Sequence, residues 1–233
     1  MKYLFLFLFL IPLLAPVHET VNSKQIRVVV LDTGLDIDDP RFKGHICPNE
    51  SRDFTGKDLY DRYGHGTHIA SLILKNASTS NFCLIIVKWW IEENTRLKNM
   101  DNYKKAVDYV VSLNPNIVNM SLSGTEEIDN EEHMIKSLPN TKFIVSAGND
   151  GKDQKVQLSY PAALTFQYRN VIVVGSLDVT GNRYKSSNYG YPNMRWRKGE
   201  NIDGYSVNRN LTVKMSGTSQ AAAQYTGEYI GNL

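Results

Sequence analysis

A chain of 233 residues with 42% hydrophobic and 21% charged residues has the material for one large domain with a core covered on two faces. The formal net charge of +2 is only mildly basic, and no Lys/Arg run forms a nucleic-acid or membrane-surface patch. Composition therefore points to no nucleic-acid partner, and function has to be sought in local motifs.

The N-terminus differs in kind from the rest. Lys2 precedes an apolar run from Tyr3 to Leu14, followed by a polar stretch from His18 to Ser23. This is the charged, apolar and polar succession of a secretory signal peptide over residues 1–23, and it is short for a bilayer span. Val21 and Ser23 put small or modest residues at the recognised positions before Lys24, so cleavage is expected after Ser23. The other reading is an uncleaved anchor, the one route by which the chain would meet a membrane. Either reading places residues 24–233 outside the cytoplasm, secreted or periplasmic. Cys47 and Cys83 suit that compartment as a disulfide, although two buried thiols fit the residues equally well.

In chain order, Ile26 to Leu31 reads as a buried strand stopped by the Asp32-Thr33-Gly34 turn. Phe82 to Trp90 reads as a second strand, and Leu97 to Val111 carries apolar residues at helical spacing, ended by Asn114-Pro115-Asn116. Strand character resumes from Ile117 to Leu122. A weaker helix follows from Glu126 to Leu138, then short strands at Lys142 to Ser146 and Asn170 to Gly175. Apolar strands alternating with helices imply an α/β fold with a mostly parallel twisted sheet and helices on both faces. Functional groups in such sheets gather at the carboxyl ends of strands, which directs attention to Asp32, Ser123-Gly124 and Gly148-Asn149.

Three segments carry the groups of acyl transfer: Val28 to Gly34 with Asp32, Gly64 to Ala70 with His65 and His68, and Met215 to Ala222 with Ser219. A serine hydroxyl needs a neighbouring base, and a carboxylate fixes the tautomer of that base and stabilises its charged form. In this order the motifs resemble the subtilisin-like serine peptidase family, over roughly Ile26 to Gly227. Asn119-Met120-Ser121-Leu122 with Ser123-Gly124 resembles the family's peptide-pairing strand. Val145 to Gly151 resembles its oxyanion segment, and Ser159-Tyr160-Pro161-Ala162 with Val171 to Ser176 resembles the stretch behind the primary pocket.

The resemblance implies a serine endopeptidase working through an acyl-enzyme on protein or peptide substrates. Asp32 would orient His65, His65 would act as general acid and base, and Ser219 as nucleophile. Asn149 would join the Ser219 N–H in the oxyanion hole, while Ser121, Leu122, Ser123, Gly124, Ala147, Gly148 and Ser159 would bind substrate. Ser123 and Ser159 would narrow the primary pocket. His68 would be structural, because a His pair three residues apart with no following carboxylate is a poor zinc site. Strands near His45 and Phe82 would lie side by side, which would let Cys47 and Cys83 bond.

The chain also departs from the family pattern. Arg41 stands in Asp36-Ile37-Asp38-Asp39-Pro40-Arg41 where an acid is expected, and Asn76 to Asn81 is short for a ligand loop. No cofactor and no metal at the strong calcium site are therefore expected, a weak site elsewhere staying open; the three acids read as a solvated turn. The core strand starts at Ile26, leaving no room for an inhibitory pro-domain, Ala223 replaces a proline, and the chain is short beyond Ser219. A monomer is expected. The competing reading is a scaffold of the same fold that captures peptide without cleaving it.

Overall fold

The computed structural model describes residues 25–233, so the expected signal peptide lies outside the described residues. β1 (Ile26–Asp32), β2 (Arg52–Asp53), β3 (Phe82–Lys88), β4 (Ile117–Met120), β5 (Lys142–Ser146), β6 (Val171–Leu177) and β7 (Arg195–Lys198) form one sheet in the order β2-β3-β1-β4-β5-β6-β7. Every neighbouring pair in it is parallel, with Val29 opposite Ile85 on one side and Val118 on the other. α1 (His65–Asn76), α2 (Arg96–Leu113), α3 (Asp129–Ser137) and α4 (Thr218–Ile230) cover it, and β8 (Ile202–Tyr205) with β9 (Thr212–Met215) forms a separate antiparallel hairpin. The expected α/β class is the one observed.

Alternation along the strands divides the core in two. Val28, Val30, Leu84 and Ile86 face α1 and α4, meeting Ile69, Ile73, Ala221 and Ala222. Val29, Leu31, Ile85 and Val87 face α2 and α3, meeting Tyr103, Val107, Val110 and Ile135. Both faces are dry, so each strand is apolar on both sides, as a sheet between two helix layers requires.

Boundaries moved for identifiable reasons. β3 stops at Lys88, where Trp89 N–H makes the last sheet contact with the Asp32 carbonyl at 3.2 Å. Trp89 and Trp90 then leave the sheet. α2 runs from Arg96 to Leu113, capped by the Thr95 hydroxyl at the Lys98 N–H, and ends on Asn114 in the left-handed region (φ +45°). α3 begins at Asp129 rather than Glu126.

The turn from Asp36 to Arg41 is not simply solvated. Asp39 is 2% exposed and pairs with Arg41 at 2.7 Å; Arg41 also donates to the Ser206 carbonyl at 2.7 Å and lies over the Tyr205 ring. Burial alone would raise the Asp39 carboxyl, but the bonds from Arg41 outweigh it and hold it below the usual carboxylate value. Asp36 pairs with Arg209. The acidic turn is thus an anchor for the β8–β9 hairpin.

Cys47 and Cys83 are disulfide-bonded, with Cα atoms 5.0 Å apart. The bond ties the segment ahead of β2 to the start of β3, beside the parallel bridge between Ile46 and Leu84. Both sulfurs lie in the α2–α3 core. Among the described residues no helix is long and apolar enough to cross a membrane. Replacing both cysteines by alanine removes a cross-link spanning 36 residues and should cost about 4 kcal/mol in urea unfolding.

Candidate active site

Asp32 closes β1 at the carboxyl edge of the sheet and is 4% exposed. Its Oδ1 lies 2.8 Å from His65 Nδ1 and also accepts the Thr33 N–H at 2.8 Å. His65 opens α1, after Gly64 in the left-handed region (φ +95°). The two segments touch so closely that a Cβ on Gly66 would strike the Gly34 backbone. Glycine at 66 is a condition of the Asp32–His65 contact.

One buried acid holds that junction. Asp61 is fully buried, and its Oδ1 accepts from Thr33 Oγ1 at 2.9 Å, Gly64 N–H at 2.8 Å and Tyr63 N–H at 3.1 Å. Its Oδ2 accepts from the Thr67 N–H and hydroxyl at 2.8 and 2.7 Å, while Thr33 Oγ1 takes the Gly66 N–H at 2.8 Å. Asp61 is not among the residues that the sequence motifs single out. The available signal was an acid just ahead of a helix start, in Asp61-Arg62-Tyr63-Gly64-His65-Gly66-Thr67.

Burial works against protonation of His65, but the charge of Asp32, its hydrogen bond and the charge of Asp61 together raise the imidazole above its ordinary value. His68 is fully buried and is driven the other way by burial. Its Nε2 lies 3.0 Å from the Ile202 carbonyl and 3.1 Å from the Val213 carbonyl, so it fastens the hairpin to α1.

Ser219 sits in the first turn of α4, 9% exposed. Its hydroxyl donates to the Ser121 carbonyl at 3.1 Å, and the Ser121 hydroxyl donates to the Ser219 carbonyl at 3.1 Å. Asn119 Nδ2 supports Ser121 Oγ at 2.9 Å, and Asn119 Oδ1 accepts from Thr226 Oγ1 at 2.9 Å. The turn that carries Ser219 is thereby fixed to the end of β4.

Asn149 is exposed, with its side-chain oxygen facing inward. Oδ1 accepts the Thr218 N–H at 2.9 Å and the Thr218 hydroxyl at 3.1 Å; the same hydroxyl accepts the Gly148 N–H at 3.1 Å. A backbone N–H can only donate, so the amide orientation follows and Nδ2 is left without an acceptor among the described residues. Asn188, fully buried, shapes the same segment: its Nδ2 donates to the Ala147 carbonyl, and its Oδ1 accepts from the Asp150 and Lys152 N–H groups. Thr218 and Asn188 carried no signal of these roles in the sequence.

A cleft of about 260 Å³ brings together Asp32, His65, Ser121, Leu122 and Ser123. Tyr63, Trp89 and Trp90 supply aromatic walls that the sequence reading did not assign. The Ser123 N–H and carbonyl have no partner among the described residues. Gly124 is different: it exchanges bonds of 2.9 and 2.8 Å with Tyr160, so its backbone groups are used within the protein. Ser159 is buried behind Gly148, its hydroxyl 3.4 Å from the Gly124 carbonyl. Among the described residues no group of three or more His, Cys, Asp or Glu is placed to hold a metal ion. Arg41, turned into the protein toward Asp39, does not fit a calcium-ligand role.

The parallel sheet, with a His–Asp pair and a serine at a helix start on its carboxyl edge, defines a serine hydrolase of α/β type. Residues 23–228 match the Subtilase family model, and the chain belongs to that family and is a serine-type peptidase. The major intracellular serine protease of Bacillus subtilis (strain 168) is 33% identical over 225 residues, covering 89% of this chain and 68% of the relative. An intracellular serine protease of Paenibacillus polymyxa is 28% identical, with 91% and 67% covered. Subtilisin-like protease 2 of Trichophyton equinum is 28% identical, but the chain spans about half of it, 52%. Among solved structures, a cold-adapted subtilisin-like serine proteinase matches with TM-score 0.70 at 24% identity, over 87% of this chain and 72% of that one. The prenylagaramide maturation protease PagA matches with TM-score 0.66 at 26% identity, over 88% and 73%.

If neutral His65 serves as a base, its raised midpoint places the acid limb of kcat/KM above the ordinary histidine value of about 6.5. Asp61→Asn removes one of the charges that raise it. The limb should move to lower pH while kcat falls, as read from pH–rate profiles of both proteins.

Proposed function

We propose that this peptidase is an extracellular serine endopeptidase whose triad is Asp32, His65 and Ser219. The observation that carries the reading is the 2.8 Å contact between His65 Nδ1 and Asp32, which leaves Nε2 as the base. Ser219 Oγ attacks the substrate carbonyl carbon and gives its proton to His65 Nε2. The carbonyl oxygen takes up the negative charge, stabilised by Asn149 Nδ2 and the Ser219 N–H. Collapse expels the amine, which leaves with the proton from His65. Water, deprotonated by His65, then releases the acyl group and restores Ser219.

Substrate would lie as an extended strand along Ser121-Leu122-Ser123, where the unpaired Ser123 backbone groups offer the edge it needs. Gly124 then contributes as the element that ties this strand to Tyr160, and Ala147, Gly148 and Ser159 as the opposite wall. The Cys47–Cys83 bond and the apolar run from Tyr3 to Leu14 support an oxidising compartment, although two bacterial relatives are named intracellular. Arg41 supplies positive charge at the acidic turn, so the turn is proposed to need no calcium.

The non-cleaving alternative draws on one observation, that the Ser219 hydroxyl donates to the Ser121 carbonyl. Turning about the Ser219 Cα–Cβ bond frees it for His65, a low-cost rotamer change. A fluorophosphonate probe should label Ser219 in the native protein; unlabelled wild type would establish the scaffold reading.

Peptide hydrolysis by wild type, with Ser219→Ala losing about 10⁶-fold in kcat, tests the nucleophile. Asn149→Ala should lose about 10²–10³-fold with KM little changed. Treatment with EGTA should leave the unfolding midpoint unmoved, whereas a fall in the midpoint would reveal a calcium requirement.

A further inference from the structure

One buried acid has no part in the chemistry above. Glu131, in the first turn of α3, is 2% exposed. Burial pushes its carboxyl up; the hydrogen bond from Tyr103 opposes this and the charge of Glu127 adds to it, leaving the midpoint at about 7. Oε1 accepts from the Tyr103 hydroxyl at 2.6 Å, but Oε2 has no partner among the described residues. Half of a buried carboxyl is therefore unsatisfied, a costly state for a group whose only task is to anchor α2 to α3. A glutamine would make the Tyr103 contact without the burden of a buried acid.

Glu131 lines a pocket of about 90 Å³ beside Leu122-Ser123-Gly124, with walls that include Trp89, Met100 and Tyr103. Trp89, Leu122 and Ser123 border both this pocket and the catalytic cleft, so a peptide on the 121–123 stretch passes its entrance. The charged groups lining it are Arg96 from α2, Glu126 from the loop before α3, and Glu131 itself, with Glu127 behind the lining residue Tyr160. Arg96 is engaged by Glu126 at 2.7 Å, and Glu127 accepts from the Tyr160 hydroxyl at 3.2 Å. Two carboxyl groups against one guanidinium, itself taken up by Glu126, leave Glu131 without a cationic partner among the described residues, beside aromatic and aliphatic walls.

We infer that Glu131 is a specificity-determining residue, selecting a lysine or arginine of the substrate on the N-terminal side of the scissile bond. The aliphatic stem of such a residue lies against Trp89, Tyr103 and Leu122, and its cationic head reaches toward Glu131. The head supplies the hydrogen bond that Oε2 lacks and stabilises the ionised carboxylate. This rests on the peptidase reading and adds the side-chain class it prefers at a second pocket. Below its midpoint Glu131 is neutral and attracts a cation weakly; above it the carboxylate is formed. The preference for lysine therefore grows as pH rises through about 7. Tyr103 is held well above its ordinary value by burial and by Glu131, and Tyr160 is raised by burial and Glu127, so neither gains charge in that interval.

The test uses peptide pairs that differ only in lysine or norleucine at each position preceding the scissile bond. At one position the kcat/KM ratio of lysine to norleucine should reach roughly tenfold at about pH 8.5 and shrink toward about pH 6. Taking the ratio cancels the His65 limb shared by both peptides. Glu131→Gln should cleave the norleucine peptide as wild type does while losing the lysine advantage at every pH. A pH-independent ratio in wild type, or a lysine advantage that survives Glu131→Gln, overturns the proposal. Calorimetric binding of the same pairs to Ser219→Ala reads the preference without turnover. Failure of hydrolysis alone then counts against the peptidase reading, and equal affinity for the two peptides counts against Glu131.

Discussion

Between the turn that follows β1 and the first turn of α1, the carboxylate of Asp61 accepts five hydrogen bonds and meets no solvent. Four come from the loop and helix that present His65, and one comes from Thr33, the neighbour of Asp32. Asp32 and His65 are thus registered to each other through a third group, Asp61. Each donor would be orphaned without that carboxylate, at about 1–3 kcal/mol apiece. Lys88 closes the same region from below: it is fully buried, its Nζ donates to the Tyr60 carbonyl at 2.6 Å, and burial holds its amine below the usual lysine value. The Tyr60-to-Gly64 segment is therefore clamped on both sides before His65 begins.

The other half of the site is organised around the start of α4. Ser121 and Ser219 exchange hydroxyl-to-carbonyl bonds, with Asn119 and Thr226 behind them. Thr218 meanwhile reaches across to Asn149 and Gly148. Adjacent residues on one helical turn thus fix Ser219 and Asn149, the proposed nucleophile and oxyanion donor. Preorganisation of this kind matters because charge develops at a place where the donors already point.

The Asp32–His65 pair and the helix start at Ser219 were legible because each residue sits inside a short motif whose neighbours are constrained by the same local geometry. Gly64 and Gly66 around His65, and Gly217 and Thr218 before Ser219, are such neighbours. The central strands were legible because Val28 to Leu31 and Phe143 to Val145 are buried on both faces and so apolar throughout. β7, β8 and β9 were not, since Arg-Trp-Arg-Lys, Ile-Asp-Gly-Tyr and Thr-Val-Lys-Met carry no clear period and pair only in tertiary context. Asp61, Asn188 and Glu131 look like surface residues in one dimension. Their burial comes from partners distant in sequence, as Asn188 with Ala147 shows. The Asp36-to-Arg41 turn misled for the same reason, its partners lying in the hairpin.

An open sheet has edges, and strand edges invite strands from other molecules. Among the described residues the sheet ends on β7, whose Arg195, Arg197 and Lys198 leave a single uncharged position at Trp196. At the opposite end lies β2, only Arg52 and Asp53 long. Two copies approaching through β7 would set the exposed Arg195 and Lys198 of each face to face, Arg197 being paired with Glu228, and approaching through β2 they would find almost nothing to pair with. Protection against aggregation is thus electrostatic on one side and geometric on the other. Salt erodes the first by screening and leaves the second untouched, so concentrated solutions at high ionic strength expose the β7 side to self-association first.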